Sequence, residues 1–450
     1  MPEYIKHGEG TFTSLTKQQK EAVGLLSIGT FLEYFDLMLY VHMAVLLNEL
    51  FFPKSDPFGA SLQGAFAFCS VFVLRPVGAF IFGRIGDHIG RKVIVVITTF
   101  LMSISCIIMA TVPTYAQIGI VASVIVTICR MLQGMSSMGE IIGAEIYLTE
   151  MIRPPVQYPT VMLIAISSIL GGTAALGIAF VTTWYELNWR IAFWIGAAIA
   201  LIGSIARTAL KESKDFADAK HQLKDTMDKL QVNINTLQKD PILYEAVKKN
   251  TTISLFLIQC GWPMCFYLTY IYCSNILKNK FGYTPEEIIS HNFYISIINL
   301  LGYIFLTYLS CRIHPLKILK AKVFIFFPVA LFYPYIWNYI NDPSHVFLLQ
   351  SFIILFVLST NPATPIFYKH IPIFKRVTYG GFIYAVSRAI MHIITSFGII
   401  YIEKYLGQWG VSIIILPMII GYGLGVLYFV KLETEVGTYH DIGYNRTSLV

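Results

Sequence analysis

Charge is scarce in this chain. Only 13% of its 450 residues are Asp, Glu, Lys or Arg, about half the share of a soluble domain, while 56% are hydrophobic. That balance excludes a water-soluble fold and leaves a polytopic membrane protein. Cysteine is sparse as well. The seven, Cys69, Cys106, Cys129, Cys260, Cys265, Cys273 and Cys311, lie in or beside apolar runs with no CxxC pair, so neither a disulfide frame nor a metal site is implied. The first twenty residues are polar and carry no cleavable signal, which leaves targeting to the first apolar run. No nucleophile–base pair, metal cluster or phosphate loop stands out, so the chain is not read as an enzyme and no cofactor is indicated. The net charge of +7 follows from loop topology and marks no nucleic-acid partner.

Long apolar runs dominate what is present. They predict an all-α integral membrane fold of twelve spans, at about 21–48, 61–83, 93–112, 117–147, 157–181, 190–209, 251–275, 286–309, 321–340, 346–368, 378–402 and 410–430. An even number puts both termini on one side, and the short basic loops make that side cytoplasmic. One long hydrophilic stretch, 210–250, divides the spans six and six. The expected organisation is a half from 1 to 209, a cytoplasmic linker from 210 to 250 and a second half from 251 to 450, with the site between the halves. Abundant Ile, Tyr and Phe point to an AT-rich bacterial genome, and so to a multi-pass protein of a bacterial inner membrane.

The loop after the second span is the most distinctive stretch. Gly86 and Gly90 permit a sharp turn, and Asp87, Arg91 and Lys92 place charge at the start of the next helix. Gly83-x-Ile85-Gly86-Asp87-x-x-Gly90-Arg91-Lys92 resembles the loop between helices 2 and 3 of major facilitator superfamily transporters. The preceding Arg75-Pro76-Val77-Gly78 is similar, more narrowly, to the metabolite:proton symporters, a family that includes transporters of proline and glycine betaine. The resemblance implies the major facilitator fold of two six-helix halves and a cytoplasmic gate at this loop, with Glu150 of span four as partner to Arg91. The corresponding second-half segment, Leu309 to Lys317, has Cys311 at the Asp position and His314-Pro315 in place of Gly-Arg. Closure on that side is therefore expected to lean on the first loop.

Acids within the spans are the candidates for proton coupling. Gly29, Glu33, Asp36 and Tyr40 share one face of span one, and Arg130, Gly134, Ser137 and Glu140 share an arc of span four with Gln133 and Glu145 nearby. Two readings stay open for Glu33 and Asp36, a proton site or ion pairs with Arg on adjacent helices. Glu33-Tyr34-Phe35-Asp36 and Arg130-Met131-Leu132-Gln133-Gly134 resemble first- and fourth-helix motifs of the same families, which implies a coupling role for Arg130. Span seven carries Gln259, Trp262, Phe266 and Tyr270 on one stripe, with Pro263 as a kink. Such an aromatic stripe can hold a quaternary ammonium, or it can simply be an accident of an aromatic-rich chain. Asn361-Pro362 and Pro365 are expected to break span ten. Span eleven carries Arg388, flanked by Tyr384 and His392; the Arg is either a ligand for a solute carboxylate or a structural ion pair.

The expectation from the residues and the resemblance together is a secondary transporter, by proton-coupled symport of a small polar zwitterion such as proline or betaine. Its partners are then the solute, a proton and the bilayer, and it acts as a monomer. Alternatives are a mono- or dicarboxylate:proton symporter and, from another class, a membrane solute receptor that no longer transports. The expected proton-coupling set is Glu33, Asp36, Arg130, Glu140 and Glu145. The expected solute site is Tyr40, Gln133, Gln259, Trp262, Phe266, Tyr270, Tyr384 and Arg388.

Overall fold

The computed structural model describes residues 15–53, 57–88, 91–137, 140–209 and 247–439. Among the described residues the regular structure is all helix, and the helices follow one another as twelve spans. Span one is Lys17–Phe51; span two is Pro57–Val73 continued by Arg75–His88; span three is Arg91–Thr111; span four is Ile120–Ser136 continued by Glu140–Met151; spans five and six are Gln157–Trp184 and Arg190–Ala209. Span seven runs Lys249–Phe281 through a π-turn at Leu268–Tyr272; span eight is Pro285–Ser310; span nine is Pro315–Leu331 with Tyr333–Asn338. Span ten is Pro343–Leu355 and Thr364–Lys369; span eleven runs Ile373–Ile393 and on to Leu406; span twelve is Gln408–Val436. Among the described residues, eight helices are long and apolar enough by themselves to cross a membrane. Spans nine and ten fall short because the helix of one stops at Phe332, and the stretch between Leu355 and Thr364 interrupts the other.

The helix ends are set by local chemistry. Thr16 with Gln19, and Thr284 with Glu287, close capping boxes before spans one and eight. Asp342 caps span ten, and the hydroxyl and backbone N–H of Ser344 hold its carboxyl below the ordinary value. His314 caps span nine through Nδ1, which accepts from the Leu316 N–H at 3.3 Å, with Pro315 as the first helical residue.

Packing follows a simple plan. Span one lies along span five, span three along span six, and span two against span four; spans seven and twelve, nine and twelve, and eight and ten pair likewise. The first six spans meet the last six where span five faces span eight and span two faces span eleven. Two glycines permit the closest approaches. A Cβ at Gly134 would run into the Val71 backbone of span two, and one at Gly171 would meet the Phe31 backbone of span one. Around the perimeter Phe66, Phe100, Leu301, Phe305, Phe324 and Leu424 stay exposed, the apolar surface a bilayer covers. The starting face is the membrane side where span one begins, and the opposite face is where that span ends.

Candidate functional site

A cavity of about 80 Å3 lies at the centre of the bundle, between the first six spans and the last six. Tyr34, Met38 and His42 reach it from span one, Ile141 and Glu145 from span four, and Ser168, Gly172 and Thr173 from span five. Gln259, Trp262, Phe266 and Tyr270 come from span seven, Ser296, Asn299 and Tyr303 from span eight, Val357, Ser359, Thr360 and Asn361 from span ten, and Tyr384 and Arg388 from span eleven. Among the described residues, spans two, three, six, nine and twelve add nothing to the wall.

Arg388 is the cation of this wall and Glu145 the acid. The guanidinium lies 3.3 Å from the ring centroid of Tyr384 and 5.1 Å from that of Trp262, and Nη1 donates to Gln259 Oε1 at 3.2 Å. Its Nε has no hydrogen-bond partner among the described residues. A buried donor left this way is costly unless something else completes it. Tyr384 also meets Tyr34 hydroxyl to hydroxyl at 3.1 Å, tying span eleven to span one. Trp262, Phe266 and Tyr270 form a continuous ladder, with ring centroids 4.9 and 5.1 Å apart and His42 edge-on to Tyr270 at 5.3 Å. The ladder occurs at i, i+4 and i+8, so one helical face carries all three rings. Gln350 steadies the π-turn beneath it, donating to the Thr269 carbonyl at 2.7 Å while its Oε1 bonds His291 at 2.6 Å. Glu145 accepts from the Tyr368 hydroxyl at 3.4 Å, a second link between the first and last six spans.

Of the expected solute site, Gln259, Trp262, Phe266, Tyr270, Tyr384 and Arg388 come together in the wall. Tyr40 and Gln133 do not. Both are drawn to the buried Arg130, whose guanidinium lies 4.1 Å over the Tyr40 ring and donates to Gln133 Oε1 at 3.0 Å. Of the expected proton-coupling residues, Glu145 lines the cavity. Glu33, Asp36 and Arg130 are buried in the polar core of the first six spans, with Asp36 turned toward Gly196 of span six. The side chain of Glu140 lies outside the described residues, as do Gly90, the side chains of Asp87, Arg91 and Lys92, the surroundings of Gly83 and Gly86, and residues 210–246. The wall also includes Tyr34, His42, Ser296, Asn299, Tyr303 and Ser359, which the sequence does not single out as ligands; neutral polar residues in aromatic-rich spans carry no signal of their own.

The ends of the bundle differ from the sequence expectation too. Glu150 pairs with Arg376 of span eleven, Oε1 to Nη1 at 2.6 Å, where Arg91 is the expected partner. At the opposite face Glu49 pairs with Lys278, also at 2.6 Å, joining spans one and seven. The 309–317 segment lacks its loop acid, but Glu433 at the end of span twelve supplies a buried carboxylate nearby. It bonds Lys369 at 2.8 Å and His370 at 2.6 Å at the end of span ten, and accepts from Thr438 at 2.6 Å. The ring of Tyr439, a residue further on, lies edge-on to His314 at 5.1 Å.

The bundle of twelve spans, with a cavity of polar and aromatic side chains between its two sets of six, is that of a polytopic membrane protein. The chain belongs to the Major Facilitator Superfamily, whose family model matches residues 26–396. It is similar to the inner membrane metabolite transport protein YhjE of Escherichia coli, 34% identical over 48% of this chain and 51% of that one. It is also similar to the proline/betaine transporter of Salmonella typhimurium (33% identical, 44% of this chain, 41% of that one) and the citrate-proton symporter of Salmonella typhi (34%, 45% and 48%). The matched region thus spans about half the length of these relatives. Among solved structures, the partially occluded inward-open xylose transporter XylE from Escherichia coli aligns at TM-score 0.67 and 15% identity over 92% of this chain and 98% of that one. The human organic anion transporter MFSD10 aligns at 0.65 and 14%, over 92% and 100%. At such identity the likeness shows the fold alone.

Proposed function

We propose that the chain is a proton-coupled symporter of a small zwitterionic solute of the proline or betaine kind, working by alternating access. In this reading residues 1–209 and 251–450 are two halves that rock about the cavity, joined by a cytoplasmic linker at 210–250. The protein sits as a monomer in a bacterial inner membrane with both termini, and so the starting face, in the cytoplasm. The observation that carries the reading is the pairing of Arg388, with an Nε that no described side chain satisfies, and the Trp262–Phe266–Tyr270 ladder in one cavity. A guanidinium takes a carboxylate, and aromatic faces take a quaternary or secondary ammonium. Glu145, on the same wall, is the acid best placed to carry the proton and to answer the solute's positive charge. Glu33, Asp36 and Arg130 then form the polar core behind it.

A carboxylate:proton symporter is the second reading. Arg75, 3% exposed and stacked 4.6 Å from the Phe72 ring, is an electrostatic neighbour of the Tyr34–Tyr384 pair, and its Nε and Nη2 have no partner among the described residues. Arg75 lies outside the cavity lining, behind the Tyr34–Tyr384 pair and with Glu33 among its electrostatic neighbours; a rearrangement that brought it to Arg388 would suit a solute with two acid groups, and a citrate-proton symporter is among the relatives. Thermal unfolding of the purified protein with proline, glycine betaine and citrate separates the readings, since a ligand that binds only the folded state raises the melting temperature. Stabilisation by betaine or proline that is lost in Arg388→Lys supports the first reading. Stabilisation by citrate alone, lost in Arg75→Lys as well, supports the second.

A further inference from the structure

Lys322 is a buried charge with no part in the reading above. It lies on span nine, which adds nothing to the described cavity wall, yet only 5% of its surface is exposed. Its ammonium donates to the Val357 carbonyl at 3.2 Å, and no ion pair within 4.0 Å is formed by it among the described residues. A lone ammonium inside a helix bundle is expensive and requires a counter-group.

Here the group it meets is a backbone carbonyl just past the end of a helix. Pro343–Leu355, the first piece of span ten, stops at Phe356, and the chain does not become helical again until Thr364. The last carbonyls of a stopped helix have no following turn to bond, and that end carries partial negative charge. Lys322 reaches the chain one residue past the cap Phe356, at the Val357 carbonyl, which also accepts from the Ser359 N–H at 3.0 Å. The interrupted stretch is fastened from other sides as well. Tyr422 of span twelve donates to the Ser359 carbonyl at 2.6 Å, and Thr364 donates to Asn361 Oδ1 at 3.0 Å. Gly261 of span seven lets the Leu358 carbonyl approach where a Cβ would collide with it. From this stretch Val357, Ser359, Thr360 and Asn361 turn to the cavity.

In transporters with interrupted helices, unwound carbonyls and half-helix C-termini are where a free cation such as Na+ binds. We propose that Lys322 is a tethered cation that takes the place of such an ion at the interrupted tenth span, and that as a positioning residue it holds the Val357–Asn361 wall of the cavity. The inference rests on the geometry of span ten and stands whichever solute is carried.

The test uses purified full-length protein and needs no solute. Thermal unfolding is compared for the parent, Lys322→Ala and Lys322→Met, with n-propylammonium chloride or n-propanol added. The rate of thiol labelling at Thr360→Cys is followed in each background by the mass of its peptide. Both neutral variants are expected to unfold at lower temperature and to label several-fold faster. n-Propylammonium, filling the space vacated in Lys322→Ala, is expected to restore that variant while n-propanol is not. Lys322→Met matching the parent in both readouts, or n-propanol restoring Lys322→Ala as well as the amine does, overturns the proposal, because the side chain then acts as filler. If neither neutral variant can be purified, Lys322→Arg decides: recovery near the parent level supports a cation, and its loss along with the others overturns it.

Discussion

The pairs Glu150–Arg376 and Glu49–Lys278 sit at opposite ends of the bundle, and each joins the first six spans to the last six. If the halves rock about the cavity, opening either face breaks the pair on that face. Glu150→Gln and Glu49→Gln keep shape and remove charge, so they should shift the resting population in opposite directions. The structure also sets their sizes. Arg376 is 10% exposed and Glu150 42%, which places this pair between an exposed ion pair, worth about 0–1 kcal/mol, and a well-buried charged hydrogen bond, worth about 1.5–3. A loss of about 1 kcal/mol corresponds to roughly a fivefold shift toward the state open at the starting face. Lys278 and Glu49 are 40% and 50% exposed, so screening by water leaves about 0.5 kcal/mol, or roughly a twofold shift the other way, that fades with added salt. The double variant should come back to about a twofold net shift toward the starting face. The assay is thiol accessibility at Ile141→Cys, on the starting-face half of span four, and at Thr173→Cys, past the middle of span five. Shifts in the same direction, or none in Glu150→Gln, would refute the idea that these two pairs oppose one another.

Three other outcomes are expected. Glu145→Gln should abolish gradient-driven accumulation and spare exchange of solute for solute; accumulation at the parent level would move the proton site elsewhere, with Glu33→Gln, Asp36→Asn and Glu140→Gln the next variants to assay. Gly134→Ala should cost about 1–3 kcal/mol of stability, read as a lower melting temperature in detergent, because its Cβ would run into the Val71 backbone; an unchanged melting temperature would mean that spans two and four can part without penalty. Single cysteines at Lys220 or Lys239 should react with an impermeant thiol reagent only from the cytoplasmic side, and labelling from outside intact cells would reverse the orientation proposed above.

The spans are legible in the sequence because hydropathy over twenty residues is a strong signal, and even the interruption of span ten shows in Asn361-Pro362. Which side of each span faces the cavity is less legible. On span one the acids at Glu33 and Asp36 mark a polar stripe, but Tyr34, Met38 and His42 face the cavity, one residue and so about 100° around the helix. The acid stripe serves the interior of the first six spans instead. On span four Arg130 and Gln133 bond one another beside the Tyr40 ring and stay out of the cavity wall, while Glu145 further along the helix does reach it. On span seven the ladder repeats every four residues, so a single face brings all three rings to the cavity. Partners across the bundle, such as Arg376 for Glu150 and Glu433 for Lys369 and His370, lie 226 and 64 or 63 residues apart in the chain. No spacing rule reaches that far.

Concentrative uptake into proteoliposomes tests the central claim most directly. With purified parent protein, an imposed gradient (acid outside) should drive labelled glycine betaine or proline above its external concentration, a protonophore should collapse the accumulation, and Arg388→Ala should show none. Betaine, proline and citrate all equilibrating without accumulation, or accumulating equally with and without the proton gradient, would contradict proton-coupled symport by this chain.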